Sequence, residues 1–228
     1  MPQLRIENLT KHYAVDGATI TAVNDVSFDV EEGAFVSIVG HSGSGKTTLL
    51  SIVGGMTTPT RGRVLFNNRD LSALDSDGLS EYRCEKAGFM FQSASLLPIL
   101  TAKENLLLPV AFRPKQAAGA QQAAEQRAVE LLQAVGLGDK INAYPSQLSG
   151  GQQRRVAIAR AFMNGPDVVL ADEPTGDLDE ETEAEMMRFF MAMNRDKGTT
   201  FILVTHNTEL ARQAGLHLRM HRGAIGAW

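Results

Sequence analysis

Disulfides are excluded at once, because the 228-residue chain has a single cysteine, Cys84. A lone thiol fits a reducing compartment, and its plainest reading is a small packed residue. Nor does any apolar run approach the roughly 20 residues that a membrane helix needs. The richest stretch, Leu106-Leu107-Leu108-Pro109-Val110-Ala111-Phe112, is short and broken by proline. The opening Met1-Pro2-Gln3-Leu4-Arg5 starts no signal peptide, so a role at a membrane has to come through a partner chain. Basic charge is not in excess either. A net charge of -4 leaves no footprint for non-specific nucleic-acid binding, and no nucleic-acid partner is expected. There is no internal repeat and no low-complexity segment.

What the chain does have is an ordinary globular composition, 43% hydrophobic and 21% charged. Its length suits one domain, or one domain with a subdomain inserted in it. Leu4, Ile6 and Leu9 open a strand, and a second β region runs over about 19–30. Residues 34–39 form a short apolar strand of the kind buried on both faces. A glycine-rich loop over 40–45 and a helix over 46–53 follow. Strands are expected at 64–66 and 88–91. The stretch from Thr101 to about Gly136 reads as mainly helical, with Ala124, Ala128, Leu131, Leu132 and Val135 on one face and Gly136 at the stop. The alanine- and glutamine-rich run 116–126 is read as helix, not linker. Further strands are expected at 168–171 and 200–205, with a helix at 180–193. Strands alternating with helices imply a mainly parallel, doubly wound core. The helical block, running to about Phe162, looks like a subdomain set between two halves of that core.

Three segments carry chemistry. Gly40-His41-Ser42-Gly43-Ser44-Gly45-Lys46-Thr47 fits G-x-x-x-x-G-K-[ST]. A triphosphate presents many negative oxygens to one small site. Glycines let successive backbone N–H groups point inward, and the following helix adds its positive end. Lys46 supplies charge for the outer phosphates, and the Thr47 hydroxyl can ligate Mg²⁺. A dinucleotide loop would leave the lysine and threonine unexplained. Second, Val168-Val169-Leu170-Ala171-Asp172-Glu173 sets two carboxylates at the end of an apolar strand, where open α/β sheets meet their ligand. One can hold the metal shell and the other can orient the attacking water; read alone, they are a solvated strand end. Third, Leu148-Ser149-Gly150-Gly151-Gln152 precedes a helical run. Ser149 with Gln152 makes a capping box, while two glycines at a helix start also bare N–H groups to an anion.

With these segments in this order, the sequence closely resembles the ABC ATPase family over nearly its whole length. The resemblance implies an α/β fold: a P-loop NTPase core of mainly parallel sheet, an N-terminal antiparallel β region and an inserted helical subdomain. It implies one domain over 1–228, with 1–91 and 165–228 as the nucleotide-binding core and about 92–164 as the helical subdomain. ATP and Mg²⁺ would be the ligands and ATP hydrolysis the reaction. Gly40, His41, Ser42, Gly43, Ser44, Gly45, Lys46, Thr47 and Thr48 would bind ATP, and Tyr13 matches the aromatic that stacks on adenine. Glu173 matches the catalytic carboxylate, His206 the γ-phosphate histidine, and Lys46 completes the catalytic set. Thr47, Gln92 and, through water, Asp172 would serve Mg²⁺. Ser149, Gly150, Gly151 and Gln152 match the signature motif, which binds the ATP of a second subunit, and Asp179 matches the acidic residue of the dimer-interface loop. Taken singly, Tyr13 reads as a surface aromatic, Gln92 as a solvated polar residue and His206 as a structural histidine. His12, His41, His217 and His221 show no metal-ligand spacing.

The resemblance also implies a partner set: a second copy or a homologous ATPase in an ATP sandwich, and an integral-membrane permease or mechanotransmission subunit. The chain would then sit peripherally on the cytoplasmic face of the inner membrane. Ser42 through Leu50, Gly54-Gly55-Met56, Pro59-Thr60-Arg61-Gly62, Phe91-Gln92-Ser93, Leu96-Leu97-Pro98, Glu104-Asn105-Leu106 and 172–179 look like the subgroup serving lipoprotein release, macrolide-type efflux and antimicrobial-peptide export. Two departures are Asn207, where the subgroup usually has Asp, and His217, where Arg is commoner. The chain ends at Trp228 without the long extension of the sugar- and amino-acid-import branches. A regulatory ABC ATPase of a cell-division and cell-wall-hydrolase complex shares this layout and is the alternative. DNA-repair and translation relatives need a coiled coil or two cassettes and do not fit in 228 residues. The apolar loop within 92–106 is either a docking surface for the membrane partner or core packing.

Overall fold

The N-terminal apolar spacing departs from strict alternation, and the backbone follows it. Leu4 and Ile6 lie two residues apart, but Leu9 lies three further on. The computed structural model, which describes residues 2–15, 17–113 and 119–228, absorbs the extra residue in β1 (Leu4–Val15). Its register shifts between Ile6 and Leu9, and Asn8 takes a φ of 46°. Such a bulge keeps all three apolar side chains on one buried face. Strand β1 pairs antiparallel with β2 (Ala18–Val30). After β3 (Phe35–Val39) and α1 (Lys46–Val53), the chain returns to this sheet as β4 (Arg61–Phe66) and β5 (Arg69–Asp70). The order β2-β1-β4-β5 is the expected antiparallel region.

A short α2 (Ser76–Glu81) and a π-helical turn (Tyr82–Lys86) lead into β6 (Ala87–Met90). Three helices follow, α3 (Ala102–Ala111), α4 (Ala120–Ala134) and α5 (Gly150–Ala161). Then come β7 (Val168–Asp172), α6 (Glu180–Lys197), β8 (Thr200–Thr205), α7 (Thr208–Ala211), β9 (Leu216–His221) and β10 (Ala224–Ala227). The main sheet runs β10-β9-β3-β8-β7-β6, parallel except at β10.

Strands β3, β7 and β8 are buried at every position. Successive side chains of a strand point to opposite faces, so each strand feeds two cores. Phe35, Val169, Ala171, Phe201 and Leu203 pack with α3–α6. Val36, Ile38, Val168, Leu170, Ile202 and Val204 pack with α1 and the antiparallel sheet. A continuous apolar run is the price of covering a parallel sheet on both sides.

The stretch from Thr101 to Gly136 is mainly helical, as expected, and divides into two helices. Helix α3 opens on a full Thr101–Glu104 capping box and ends at Ala111, two residues past Pro109, which has no N–H to donate. Helix α4 starts after Gly119, whose φ is 85°. Of the 116–126 run, 120–126 are helical and 116–118 lie outside the described residues. The face predicted for α4 is buried as read, and Gly136 takes the left-handed stop at φ 71°. Between there and α5 only a 3₁₀ turn, Pro145–Gln147, is helical.

Phe201 anchors the larger core. Its ring stacks on Phe35 at 4.8 Å and meets Phe162 and Phe190 at 6.1 and 5.8 Å. Truncation would leave a ring-sized cavity among side chains with no room to collapse. Phe201→Ala is expected to lower the free energy of unfolding by about 3–5 kcal/mol in a denaturant titration. A loss under about 1 kcal/mol would mean that this cluster is loosely packed.

Candidate functional site

The carboxyl ends of five parallel strands converge on one cleft of about 1120 Å³. That edge is where an open α/β sheet presents loops and helix N-termini to a ligand. Residues 40–48, except Ser44, line it from the end of β3 and the start of α1. Gln92 follows β6, Asp172 ends β7 with Glu173 just after it, His206 follows β8, and Arg219, Met220 and His221 close β9.

The glycine-rich loop is shaped by crowding. A Cβ on Gly45 would lie 2.0 Å from the Ala22 carbonyl oxygen, and one on Gly40 would lie 2.4 Å from that of Met220. Gly43 has open space but a φ of 76°, a conformation that L side chains rarely adopt. Inside the loop Lys46 is buried, and its Nζ donates to the carbonyls of Gly40 and His41 at 2.7 and 3.0 Å. Ser44 Oγ is buried with no partner. A buried ammonium beneath a glycine-rich loop at a helix start, with one donor left beyond the two carbonyls, fits a polyanion.

Across the cleft, Thr47 Oγ1 donates to Asp172 Oδ2 at 2.6 Å. Burial raises Asp172 above the usual carboxylate range, against the opposing pull of the Thr47 hydroxyl and the nearby Lys46 and Arg154 charges. Thr47 and Asp172, bonded to each other, and the Gln92 side chain elsewhere in the cleft lining offer hard oxygen donors of the kind Mg²⁺ prefers. Among the described residues no group of three or more His, Cys, Asp or Glu could hold a metal by itself. Most of the ion's shell would therefore be phosphate and water, the usual pattern for this cation.

Glu173 is held from four directions. Its N–H donates to Val204 O at 2.9 Å, and Arg154 donates to its carbonyl. Thr205 Oγ1 donates to Oε2 at 3.1 Å, and His206 Nδ1 lies 2.9 Å from Oε1. The residue has a φ of 48°, uncommon for a non-glycine. This arrangement keeps one carboxylate on an exposed histidine at the cleft mouth while Asp172 stays buried.

Not every expected residue lies in the cleft. Tyr13, on β1 opposite Ile20, is partly exposed under Lys11, whose Nζ is 5.1 Å from the ring centroid; Ile20, Thr21 and Ala22 line the cleft on that side. Ser149, Gly150, Gly151 and Gln152 are outside it, at the start of α5, where the Ser149–Gln152 capping box is complete. Asp179 is also outside, capping α6 through Thr182; those hydrogen bonds hold its carboxyl below the usual range. The sequence reading missed Arg219, Met220 and His221, since no strand was expected there. The alternation that buries Leu218 and Met220 was the available signal. It also gave Gly176 and Asp177 no place in the cleft, although both line it.

The sequence matches the family described as ABC transporter over residues 23–176. The fold is similar to MJ0796, a bacterial ABC transporter cassette solved as a dimer, at 41% identity and a TM-score of 0.92, covering 97% of this chain and 96% of that one. A post-hydrolysis dimer of the MJ0796 cassette with ADP and phosphate is similar at 39% identity and 0.92, covering 98% of each chain. CbiO1 of Clostridium perfringens, part of the ABC transporter complex cbiONQ, is 26% identical with a TM-score of 0.84, covering 99% of this chain and 87% of that one.

The raised pKa of Asp172 carries a stability prediction. The folded chain holds this proton more tightly than the unfolded chain, so protonation favours folding in acid. That contribution is lost as pH rises through the raised value, and at neutral pH the buried charge is a cost. Asp172→Asn keeps an acceptor for Thr47 and removes the charge. In thermal melts without nucleotide it should exceed the natural chain at pH 7, the gap closing as pH falls. A variant that melts lower at pH 7 would refute this assignment.

Proposed function

The chain belongs to the ABC transporter family, and we propose that it energises a membrane complex of the export or extrusion type through ATP-driven pairing of two such subunits. As an ABC-type ATPase it takes ATP with Mg²⁺ and yields ADP and phosphate. The paired arrangement rests on one observation. Gly150 and Gly151 open α5 without a positive φ; a Cβ would meet nothing at Gly150 and only Leu178 at 3.4 Å at Gly151. The chain's own packing therefore requires no glycine at either place, and each costs about 1 kcal/mol against alanine inside a helix. A ligand that approaches this backbone from another subunit accounts for them.

In this reading the residues 40–48 and Tyr13 bind ATP in cis, and Ser149, Gly150, Gly151 and Gln152 bind the partner's ATP. Lys46 turns from the Gly40 and His41 carbonyls to the outer phosphates. Thr47, Gln92 and, through water, Asp172 would hold Mg²⁺, which would supply charge neutralisation at the phosphates. Glu173 orients the attacking water and accepts its proton, with His206 beside the γ-phosphate. Asp179 places the interface loop. Residues 92–164 act as the body that carries the trans-binding segment, and 1–91 with 165–228 as the nucleotide-binding core.

No described helix is long and apolar enough to cross a membrane, so attachment to the cytoplasmic face falls to a permease or mechanotransmission subunit. The loop after Gln92 supports that role. Leu96 packs against the core, but Leu97 and Ile99 stay exposed, Ile99 at 78%. The subgroup assignment, lipoprotein release or macrolide and peptide efflux, rests on the matching stretches around the loop, Gln92 and 172–179. MJ0796, solved as a dimeric cassette, supports the pairing of two subunits, and CbiO1, part of a transporter complex, supports a partner of that kind.

Glu173→Gln should bind ATP normally, turn over at least about a hundredfold more slowly, and accumulate an ATP-bound dimer by light scattering. A monomer in saturating Mg-ATP would sink the sandwich. Lys46→Ala should lose more than about tenfold in ATP affinity by calorimetry, as expected on losing a charge-assisted contact; unchanged affinity would remove the loop from the site.

A further inference from the structure

Arg154 is a buried charge that none of the roles above uses. It lies on the second turn of α5, 3% exposed. Its Nε donates to Pro174 O at 2.6 Å, one terminal nitrogen to Phe91 O and Gln92 O, and the other to Glu173 O. All four acceptors are backbone carbonyls. They belong to two segments only: Phe91-Gln92, which follows β6, and Glu173-Pro174, which follows β7.

We propose that Arg154 is a positioning residue for ATP hydrolysis, which fixes the strained backbone of Glu173 and ties it to the Gln92 segment through α5. Three observations carry this. Glu173 is a non-glycine residue with φ 48°, and such a conformation persists only where the surroundings over-determine it. Val204 fixes the N–H side of the residue and Arg154 the carbonyl side. Second, the planar guanidinium has five donors in a fixed fork, the shape needed to span carbonyls of two segments. Third, α5 begins at the Gly150-Gly151 start and reaches Arg154 four residues later. A force on that helix start is passed along one rigid turn to the carbonyl of Glu173. The inference rests on the proposed role of Glu173 and adds the residue that sets its backbone.

Arg160 provides the control. It also lies on α5, is part-buried, and donates to two carbonyls, those of Ser95 and Ala94. It touches neither Glu173 nor Gln92. Arg154→Met, Arg154→Lys and Arg160→Met would be compared in the purified full chain for ATP affinity, steady-state hydrolysis and melting temperature. Arg154→Met should lower kcat by about 30- to 100-fold with ATP affinity within about threefold, the pattern of a loss confined to the transition state. Arg154→Lys keeps the charge and stem, which guards against misfolding, and should still lose about tenfold in kcat, because one ammonium cannot span both segments. Arg160→Met should stay within about twofold. Adding Arg154→Met to Glu173→Gln should slow single-turnover hydrolysis little further, since both act through one group.

An Arg154 variant with unchanged kcat, an equal fall in Arg160→Met, or full additivity with Glu173→Gln would overturn the inference. If instead the natural chain fails to hydrolyse ATP, or Glu173→Gln hydrolyses it at the natural rate, the underlying reading of Glu173 has failed.

Discussion

The phosphate-binding loop is crowded by backbone at both of its ends, and much of the fold follows from that crowding. Gly45 presses on the Ala22 carbonyl of β2, and Gly40 on the Met220 carbonyl of β9. The hairpin between β9 and β10 closes the wedge: Gly223 N donates to Ser44 O and Asn24 N to Gly223 O, each at 2.9 Å. Three segments far apart in sequence thus share one backbone junction. The loop cannot take its shape until the N-terminal sheet and the C-terminal hairpin are both in place. The last strands of the chain are therefore part of the cradle and not a decorative edge.

Charge is distributed around this junction by the same crowding. Lys46, Asp172 and Arg154 are all buried, and burying an ion is costly unless polar groups replace its water. Each finds them locally: loop carbonyls for Lys46, the Thr47 hydroxyl for Asp172, and four carbonyls for Arg154. Such replacement fixes geometry as it stabilises charge. A catalytic carboxylate needs this kind of fixation, because a preorganised site does not have to rearrange when the reaction occurs. The left-handed Glu173 backbone is the local strain that the network sustains.

Much of this was legible in the sequence because the signals were local. The spacing of 40–47 announced its loop, the runs 35–39, 168–172 and 200–205 their buried strands, and Ser149 with Gln152 their cap. The illegible parts depend on distant partners. Strand β9 alternates, but two of its intervening residues are histidine and arginine, and its place beside β3 is decided by pairing. Helix α2, Ser-Asp-Gly-Leu-Ser-Glu, has no apolar stripe and stands on its Asp75 cap. Helix α3 carries Pro109 inside its last turn, and a proline there could equally have kinked a continuing helix. Arg154 looked like one polar position among several in α5, and nothing near it in sequence foretold four carbonyl partners.

The start of α5 shows why a structural and a functional reading of one motif need not compete. The first N–H groups of any helix lack intrahelical partners. In the capping box, Ser149 Oγ takes the N–H of Gln152 while the Gln152 side chain takes that of Ser149. The cap thus satisfies the third helical position and the residue before the helix, and it leaves the N–H groups of Gly150 and Gly151 between them. Those two sit at the positive end of the helix, on glycines that the chain's own packing does not require. The serine and glutamine hold the helix end in shape, and the glycines leave its donors open. On the proposed pairing, a box built this way would rigidify an anion site at the same time as it caps a helix, and that anion would be held by the second subunit's cleft.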